Sequence, residues 1–353
     1  MRYRFISFLL IVLVIFFRYQ NLKYRYSDGD YLRITTKILS EPIVFEKEQY
    51  LKLQSLKVYL PKYPEISYGD VVVIEGLVNK DKLINPKIIE IKESEGLLFG
   101  FREKLILFYK SNLPEPYGSL VAGIVIGSKN MPQSFWEKLK ATGTAHVVVA
   151  SGTNVTMMSA FLISILTILL KRRQAILITV LGIFAYVVIS GFDAPIIRAA
   201  IMGIILLYGQ EKGKIANVFR ILVFTCLLML FIKPLWITDL GFILSFVATI
   251  SLMLMQKLID SKLKLIPAFL REGFSTSLAA QIGVAPILFV TFGNFNLLSP
   301  VINALILWTI PYIMVLGSAA GLIGLIAPFI GRLMLFVLYP LLVWFVKTIE
   351  VFS

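Results

Sequence analysis

The chain has 353 residues, 58% of them hydrophobic and only 16% charged, with a mean hydropathy of +0.82. That charge deficit excludes an ordinary water-soluble globule and points to a bilayer. The single histidine, His146, excludes a multi-histidine metal site, and the single cysteine, Cys226, excludes a disulfide within the chain.

The charge is uneven, and that sets the boundaries. Residues 1–100 hold 15 Lys/Arg and 12 Asp/Glu, whereas residues 101–353 hold 20 and 9 over a much longer stretch. A mixed-charge module therefore precedes an apolar remainder. The net charge of +14 admits two readings: the positive-inside bias of cytoplasmic loops, or attraction to a polyanion such as nucleic acid.

Arg2 and Arg4 precede the apolar run Phe5–Phe17, which ends in Arg18-Tyr19-Gln20-Asn21 without a small-residue cleavage site. Residues 1–27 thus read as a retained first transmembrane helix. Residues 28–95 switch to period two. Their β-branched and aromatic runs at 31–39, 50–60, 71–78 and 83–92 are separated by Pro61, Pro64, Gly69-Asp70, Asn79 and Asp81. This spacing predicts a small barrel or sandwich docked on the apolar part. In 96–143 the pattern becomes amphipathic, with Phe99, Leu105, Phe108 and Tyr109 alternating with Arg102, Lys104 and Lys110. Pro114, Pro116 and Pro132 cut it into pieces too short to span, which read as interfacial or re-entrant helices. Residues 144–353 carry apolar runs at about 146–170, 174–190, 194–209, 216–232, 239–256, 274–292, 297–317 and 332–351, with a shorter piece near 319–330. The expected fold class is a polytopic α-helical membrane protein of about nine or ten transmembrane helices with a small extracytoplasmic β module.

The loops test that layout. Lys171-Arg172-Arg173, then Lys212, Lys214 and Arg220, then Lys257, Lys262, Lys264 and Arg271 form three basic loops, each pair two spans apart. The alternate loops at 191–193, 233–239 and 293–296 are short and nearly free of basic residues. Parity places the basic loops in the cytoplasm and the β module outside, with zero net crossings between 97 and 145 as the simplest solution. Topology accounts for much of the net charge, so charge alone says nothing about nucleic acid.

Polar residues inside the spans need a reason. Thr144 to Asn154 interrupts an apolar helix with small and polar residues, and Ser151-Gly152 is a plausible point of unwinding. Tight helix packing and a polar cavity are the competing explanations. Arg198 lies a turn inside its span, where insertion scales assign about 2.5–3.5 kcal/mol to an arginine at the helix centre; it either snorkels to the interface or faces a cavity shared with Asp193. Asp239 opens a span and reads first as an N-cap. Gln281 is mid-span, with Gly283 and Pro286 suggesting distortion, and Asn294, Asn296 and Asn303 follow. An intramembrane hydrolase built on Ser151, His146 and Asp239 lacks a G-x-S-x-G elbow, and neither H-E-x-x-H nor a Walker loop is present. The expectation is a protein that is not an enzyme and uses no cofactor.

These clusters, in their order and spacing, resemble the ComEC competence proteins, which bring single-stranded DNA across the bacterial inner membrane. Gly143-Thr144-Ala145-His146 followed by Val147-Val148-Val149-Ala150-Ser151-Gly152-Thr153-Asn154-Val155 is similar to the family's first signature. Gly191-Phe192, Arg198-Ala199-Ala200 and Met202-Gly203 resemble the second, and Asp239-Leu240-Gly241-Phe242-Ile243-Leu244-Ser245-Phe246 resembles the third, with Ile243 where glutamine is common. Gln281 to Pro286, Phe292-Gly293, Leu298-Ser299 and Asn303 fit the late part of the family domain, and Tyr68-Gly69-Asp70 with three valines fits a strand start in its external OB-type module.

The resemblance implies an OB-like β-barrel module at 28–95 and a competence-type channel domain at 144–353. It implies a channel importing single-stranded DNA across the inner (plasma) membrane during natural transformation. His146, Ser151, Gly152, Asn154, Arg198, Asp239, Gln281 and Asn303 would lie along the path, and Lys52, Lys57 and Tyr59 would be contacts on the module. Tyr31 and Tyr50 are further aromatic candidates there, although core packing is the more ordinary fate of such residues. Longer family members end in a metallo-β-lactamase-like nuclease domain; this chain ends at Ser353, so the expectation is a separate nuclease. A competence pilus or DNA receptor, a cytoplasmic DNA-pulling helicase, membrane lipid and a second copy of the chain are the other expected partners. A pore for another substrate, such as a small anion, is the alternative.

Overall fold

A computed structural model describes the chain apart from residues 1, 24–26, 46, 54–55, 95, 150, 215–216, 266 and 293–295. Asn294 therefore lies outside the described residues. The chain forms two compact units that do not follow its linear order: Met1–Gly100 with Gly191–Ile243, and Phe101–Ser190 with Leu244–Ser353.

In the first unit, helix α1 (Arg2–Lys23) leads into six strands: β1 (Tyr31–Lys37), β2 (Ile43–Val44), β3 (Glu48–Leu53), β4 (Leu56–Pro61), β5 (Val71–Asn79) and β6 (Lys82–Lys92). They form one sheet in the order β1-β5-β6-β4-β3-β2, antiparallel except for a two-residue parallel junction of β4 with β6. Alternation does the sorting. Leu51, Leu53, Leu56, Val58 and Leu60 turn inward with Ile34, Val72, Ile74 and Leu83 to make an aliphatic core. Gln49, fully buried, secures the loop beyond β4: its Nε2 donates to the carbonyls of Pro61 and Pro64 at 2.9 and 2.7 Å, and its Oε1 accepts from the Ile66 N–H. Asp70 does the same for the turn before β5, accepting from the Ser67 and Ser94 N–H groups.

Two expectations are corrected here. The run 50–60 is a hairpin rather than one strand, because β3 and β4 pair with Leu53 opposite Leu56, closed by a two-residue connection. The expected OB-like barrel does not close: β1 and β2 end the strand order without pairing with each other, leaving an open sheet.

The same unit holds α8 (Ala194–Glu211) and α9 (Val218–Ile232), a 3-10 turn (Pro234–Thr238) and the first residues of α10 (Leu240–Lys262). Loops 191–193 and 233–239 fall at one end of the α8–α9 hairpin, and the basic stretch beginning at Lys212 falls at the other. The sheet meets the first end. The Phe192 N–H donates to the Leu39 carbonyl at 3.2 Å, and Lys52 on β3 is paired with Asp239.

The second unit contains α2 (Leu97–Asn112, from Phe101 onward), α3 (Tyr117–Ile126), α4 (Gln133–Ala141), α5 (Ala145–Val148), α6 (Gly152–Leu169), α7 (Arg172–Ser190), the bulk of α10, α11 (Ala268–Phe292), α12 (Ser299–Leu307), α13 (Ile310–Gly324) and α14 (Pro328–Phe352). Helix α3 is buried from Gly118 to Ile126 among α5, α7, α13 and α14. It is apolar all round with small residues at Gly118, Ser119, Ala122 and Gly123, which suits a helix packed on every side.

Six helices among the described residues are long and apolar enough to cross a membrane: 145–169, 172–190, 194–211, 240–262, 270–291 and 328–352. The pair α12–α13 makes a seventh if its 45° bend is taken as a broken span. This is fewer than the nine or ten expected, partly because α9 has only 15 residues. The expected span 297–317 is broken at Trp308-Thr309, and the separate piece near 319–330 is divided between the end of α13 and the start of α14. Outward apolar side chains such as Leu177, Leu181, Phe184, Phe289, Val290, Phe336 and Val337 are compatible with a lipid surround.

The sheet core gives a direct check. Ile74→Ala in the full chain is expected to destabilise the β module by about 2–5 kcal/mol, read by pulse proteolysis. Tyr59→Ala on the outer face is expected to change it by less than about 1 kcal/mol; equal effects would contradict the alternation.

Candidate functional site

The glycine of the first signature makes a turn that only glycine tolerates. Gly143 has φ +72°, and a Cβ there would lie 2.9 Å from the Ser299 hydroxyl. Its carbonyl accepts from Ser299 Oγ at 3.4 Å and from His146 Nδ1 at 3.0 Å. A carbonyl can only accept, so Nδ1 is the donor in this contact. The His146 side chain is exposed, whereas Thr142 and Thr144 are fully buried and share a 2.8 Å bond.

Beyond α5 the helix is interrupted, as expected. Val149 and Ser151 are extended, and α6 restarts at Gly152. Asn154 in its first turn is buried; it donates to the Ile124 carbonyl of α3 at 3.0 Å and accepts from Ser151 Oγ at 3.2 Å. Ser151, Gly152 and Asn154 thus form one local group with α3.

Gln281 and Asn303 belong to a network that returns to Gly143. Asn303 Nδ2 donates to Ser277 Oγ at 2.7 Å and to Ser299 Oγ at 3.2 Å. Gln281, one turn past Ser277, donates to the Asn296 carbonyl at 2.9 Å, and Asn296 Nδ2 donates to the Ala141 carbonyl at 2.8 Å. Pro286, expected to distort this region, lies inside the unbroken α11. The side-chain oxygens of Gln281 and Asn303 are buried and have no hydrogen bond from the described residues.

Arg102 is the residue that sequence reasoning missed. It is 3% exposed, and its guanidinium donates to the carbonyls of Ile126 and Ile189, at the C-terminal ends of α3 and α7. A cation there satisfies orphan carbonyls and opposes both helix dipoles. The buried Tyr186 and Ser190 hydroxyls and Asn154 lie beside this group. The signal was available: residues 102, 105 and 109 share one helical stripe with Leu105 and Tyr109, so Arg102 occupies an apolar position.

In the first unit, Arg198 is half-buried on α8, with Nη1 3.7 Å from the Met202 sulfur one turn on. Asp239 caps α10 as expected, its Oδ1 accepting from the Phe242 N–H at 3.0 Å, while Oδ2 takes the Lys52 ammonium. Desolvation pulls the Asp239 carboxyl up, but Lys52, the Phe242 N–H and Lys233 together hold it below its ordinary value of 3.8. Lys57 pairs with Asp81 at 2.7 Å, and the Tyr59 and Tyr50 rings are 5.1 Å apart. Tyr31 and Tyr59 are exposed and Tyr50 half-buried, all outside the aliphatic core; core packing is not their role.

The residues matching the late signatures are thus joined by hydrogen bonds within one unit. Residues 124–353 match the family described as Competence protein. The chain belongs to the ComEC competence-protein family. It is similar to ComE operon protein 3 of Bacillus subtilis (strain 168), with 28% identity over 244 residues, covering 67% of this chain and 30% of that relative. This ComEC-family chain thus spans about 30% of the aligned relative's length in the matched region. No solved structure matches it.

Three outcomes follow from this geometry. Gly143→Ala is expected to destabilise the chain by about 1–3 kcal/mol, and Arg102→Met by at least as much, since an orphaned buried carbonyl costs about 1–3 kcal/mol. Thermal unfolding of the full chain in detergent reads both, and unchanged midpoints would contradict the two contacts. A carboxyl depressed on folding contributes stability above its unfolded pKa and loses it as pH falls through the folded one. The Lys52–Asp239 contact is therefore expected to hold from neutral pH to about 4 and to weaken in stronger acid. Hydrogen exchange of the 233–239 turn follows it, and loosening above about pH 5 would contradict the assignment.

Proposed function

We propose that this protein is the inner-membrane channel for single-stranded DNA during natural transformation, with its β module outside. Membership of the competence family supports the process, and six or seven candidate spans support the membrane location. The sheet's contacts with Phe192 and Asp239 support the sidedness, because both lie in loops that charge parity places outside.

The observation that carries the reading is the interrupted helix α5–α6. A strand bears a charge on every nucleotide and requires a wet, polar passage through hydrocarbon. Irregular backbone at membrane depth persists only when it is buried in protein or lines water. Here it carries the exposed His146 and the Ser151–Asn154 group, within a unit whose outer faces are apolar. Arg198 supplies a cation on α8 for a phosphate. A cytoplasmic helicase would pull, a pilus or receptor would deliver, and a nuclease would remove the second strand.

The test is uptake of labelled DNA by a deletion strain complemented with this chain. Wild type is expected to restore protected single-stranded DNA inside the cell, and Arg198→Ala, inserted at normal levels, to reduce it by at least tenfold, as for loss of a charged contact of about 1.5–3 kcal/mol. Failure of the wild-type chain to restore uptake, together with small-anion flux into proteoliposomes, would overturn the proposal.

A further inference from the structure

The outer face of the β3–β4 hairpin carries more than a stabilising ion pair. Cross-strand register sets Tyr50 opposite Tyr59 and Lys52 opposite Lys57. All four share the outer face because Leu51, Leu53, Leu56, Val58 and Leu60 fill the inner one. Two adjacent rings and two cations form a surface of the kind on which bases stack and phosphates pair without sequence preference. Both cations are engaged by carboxylates of the chain. Lys57 is on Asp81, within the sheet, and Lys52 is on Asp239, at the first turn of α10.

The two carboxylates differ in what else they do. Asp81 and Lys57 are both about half exposed. Asp239 is more sheltered, at 24%, while Lys52 remains 43% exposed and reachable. Asp239 also has somewhere to stay. It keeps its bond from the Phe242 N–H, and Lys233 lies near it. Losing Lys52 would leave neither a stranded carboxylate nor an uncapped helix. Exchange of one anion for another on a partly exposed ammonium is a small free-energy step, and release of counterions from the strand favours it.

We propose that Asp239 occupies the place of a backbone phosphate on Lys52, and that an arriving single strand exchanges its phosphate for this carboxylate. The exchange frees the hairpin from the first turn of α10, so that strand binding and release of this contact are one event. This rests on the single-strand reading of the protein and names the site of first contact. The carboxylate acts as a built-in competitor: a strand long enough to engage the tyrosines as well displaces it, whereas a small anion at the same charge concentration does not.

The experiment uses the full chain in nanodiscs, with Cys226→Ser where labels are attached. The probe is a fluorescent oligothymidylate, with inorganic phosphate as the small-anion control. Asp239→Asn keeps the helix cap, since asparagine caps as well as aspartate, and removes the competitor. It is expected to bind the oligonucleotide severalfold more tightly than wild type; unchanged or weaker binding would overturn the exchange. Spin labels on Glu48→Cys and Ile237→Cys report the contact itself. Oligonucleotide, but not phosphate, is expected to populate a longer distance, reversed by high salt. Binding with no change in distance would also overturn it. Absence of any binding would refute the strand assignment of this face, while restored uptake in the complemented strain would leave the channel reading standing.

Discussion

A helix that stops inside an apolar unit leaves carbonyls without helical partners, and side chains of the second unit take several of them. Arg102 takes the ends of α3 and α7, Asn154 takes Ile124, Asn296 takes Ala141 and Ser299 takes Gly143. Each donor sits on a different element from its acceptor. Packing of the short helices and burial of these polar groups are therefore the same constraint, and neither survives without the other. The short helices are held in place by side chains from their neighbours.

The first unit meets a simpler demand. An open sheet with an aliphatic core has to be held against the loops between helices. Among its contacts are a backbone bond, Phe192 to Leu39, and a carboxylate, Asp239, that serves the helix and the sheet together. Gly191, with φ +97°, turns the chain so that its neighbour reaches Leu39. Residues resembling the family's signatures thus appear in the contacts of the sheet as well as in the interrupted helix.

Much of this was legible in the sequence, for physical reasons. Long apolar runs and their breaks, the period-two segment, the Asp239 cap and the unwinding near Ser151 are local properties. The hairpin within 50–60 was signalled only by a shift of phase, the inward residues passing from the odd positions Leu51 and Leu53 to the even positions Leu56, Val58 and Leu60, and that shift was passed over because no Gly or Pro marks it. The break at Trp308-Thr309 is marked by Pro311 in the first turn of α13, whose missing N–H cannot bond back to Leu307; the signal was local and was passed over. Arg102 was read by its charge instead of its place on the apolar stripe. The Lys52–Asp239 pair joins residues 187 apart in sequence, and no local pattern announces it.

The central claim is that the interruption before α6 is wet and lies on the path of a strand. Reactivity of a single cysteine tests it most directly. In a Cys226→Ser background, His146→Cys should react with a membrane-impermeant thiol reagent applied from outside, and added single-stranded DNA should slow that reaction. No reaction until the chain is denatured, or a rate indifferent to a strand that binds, would contradict the account.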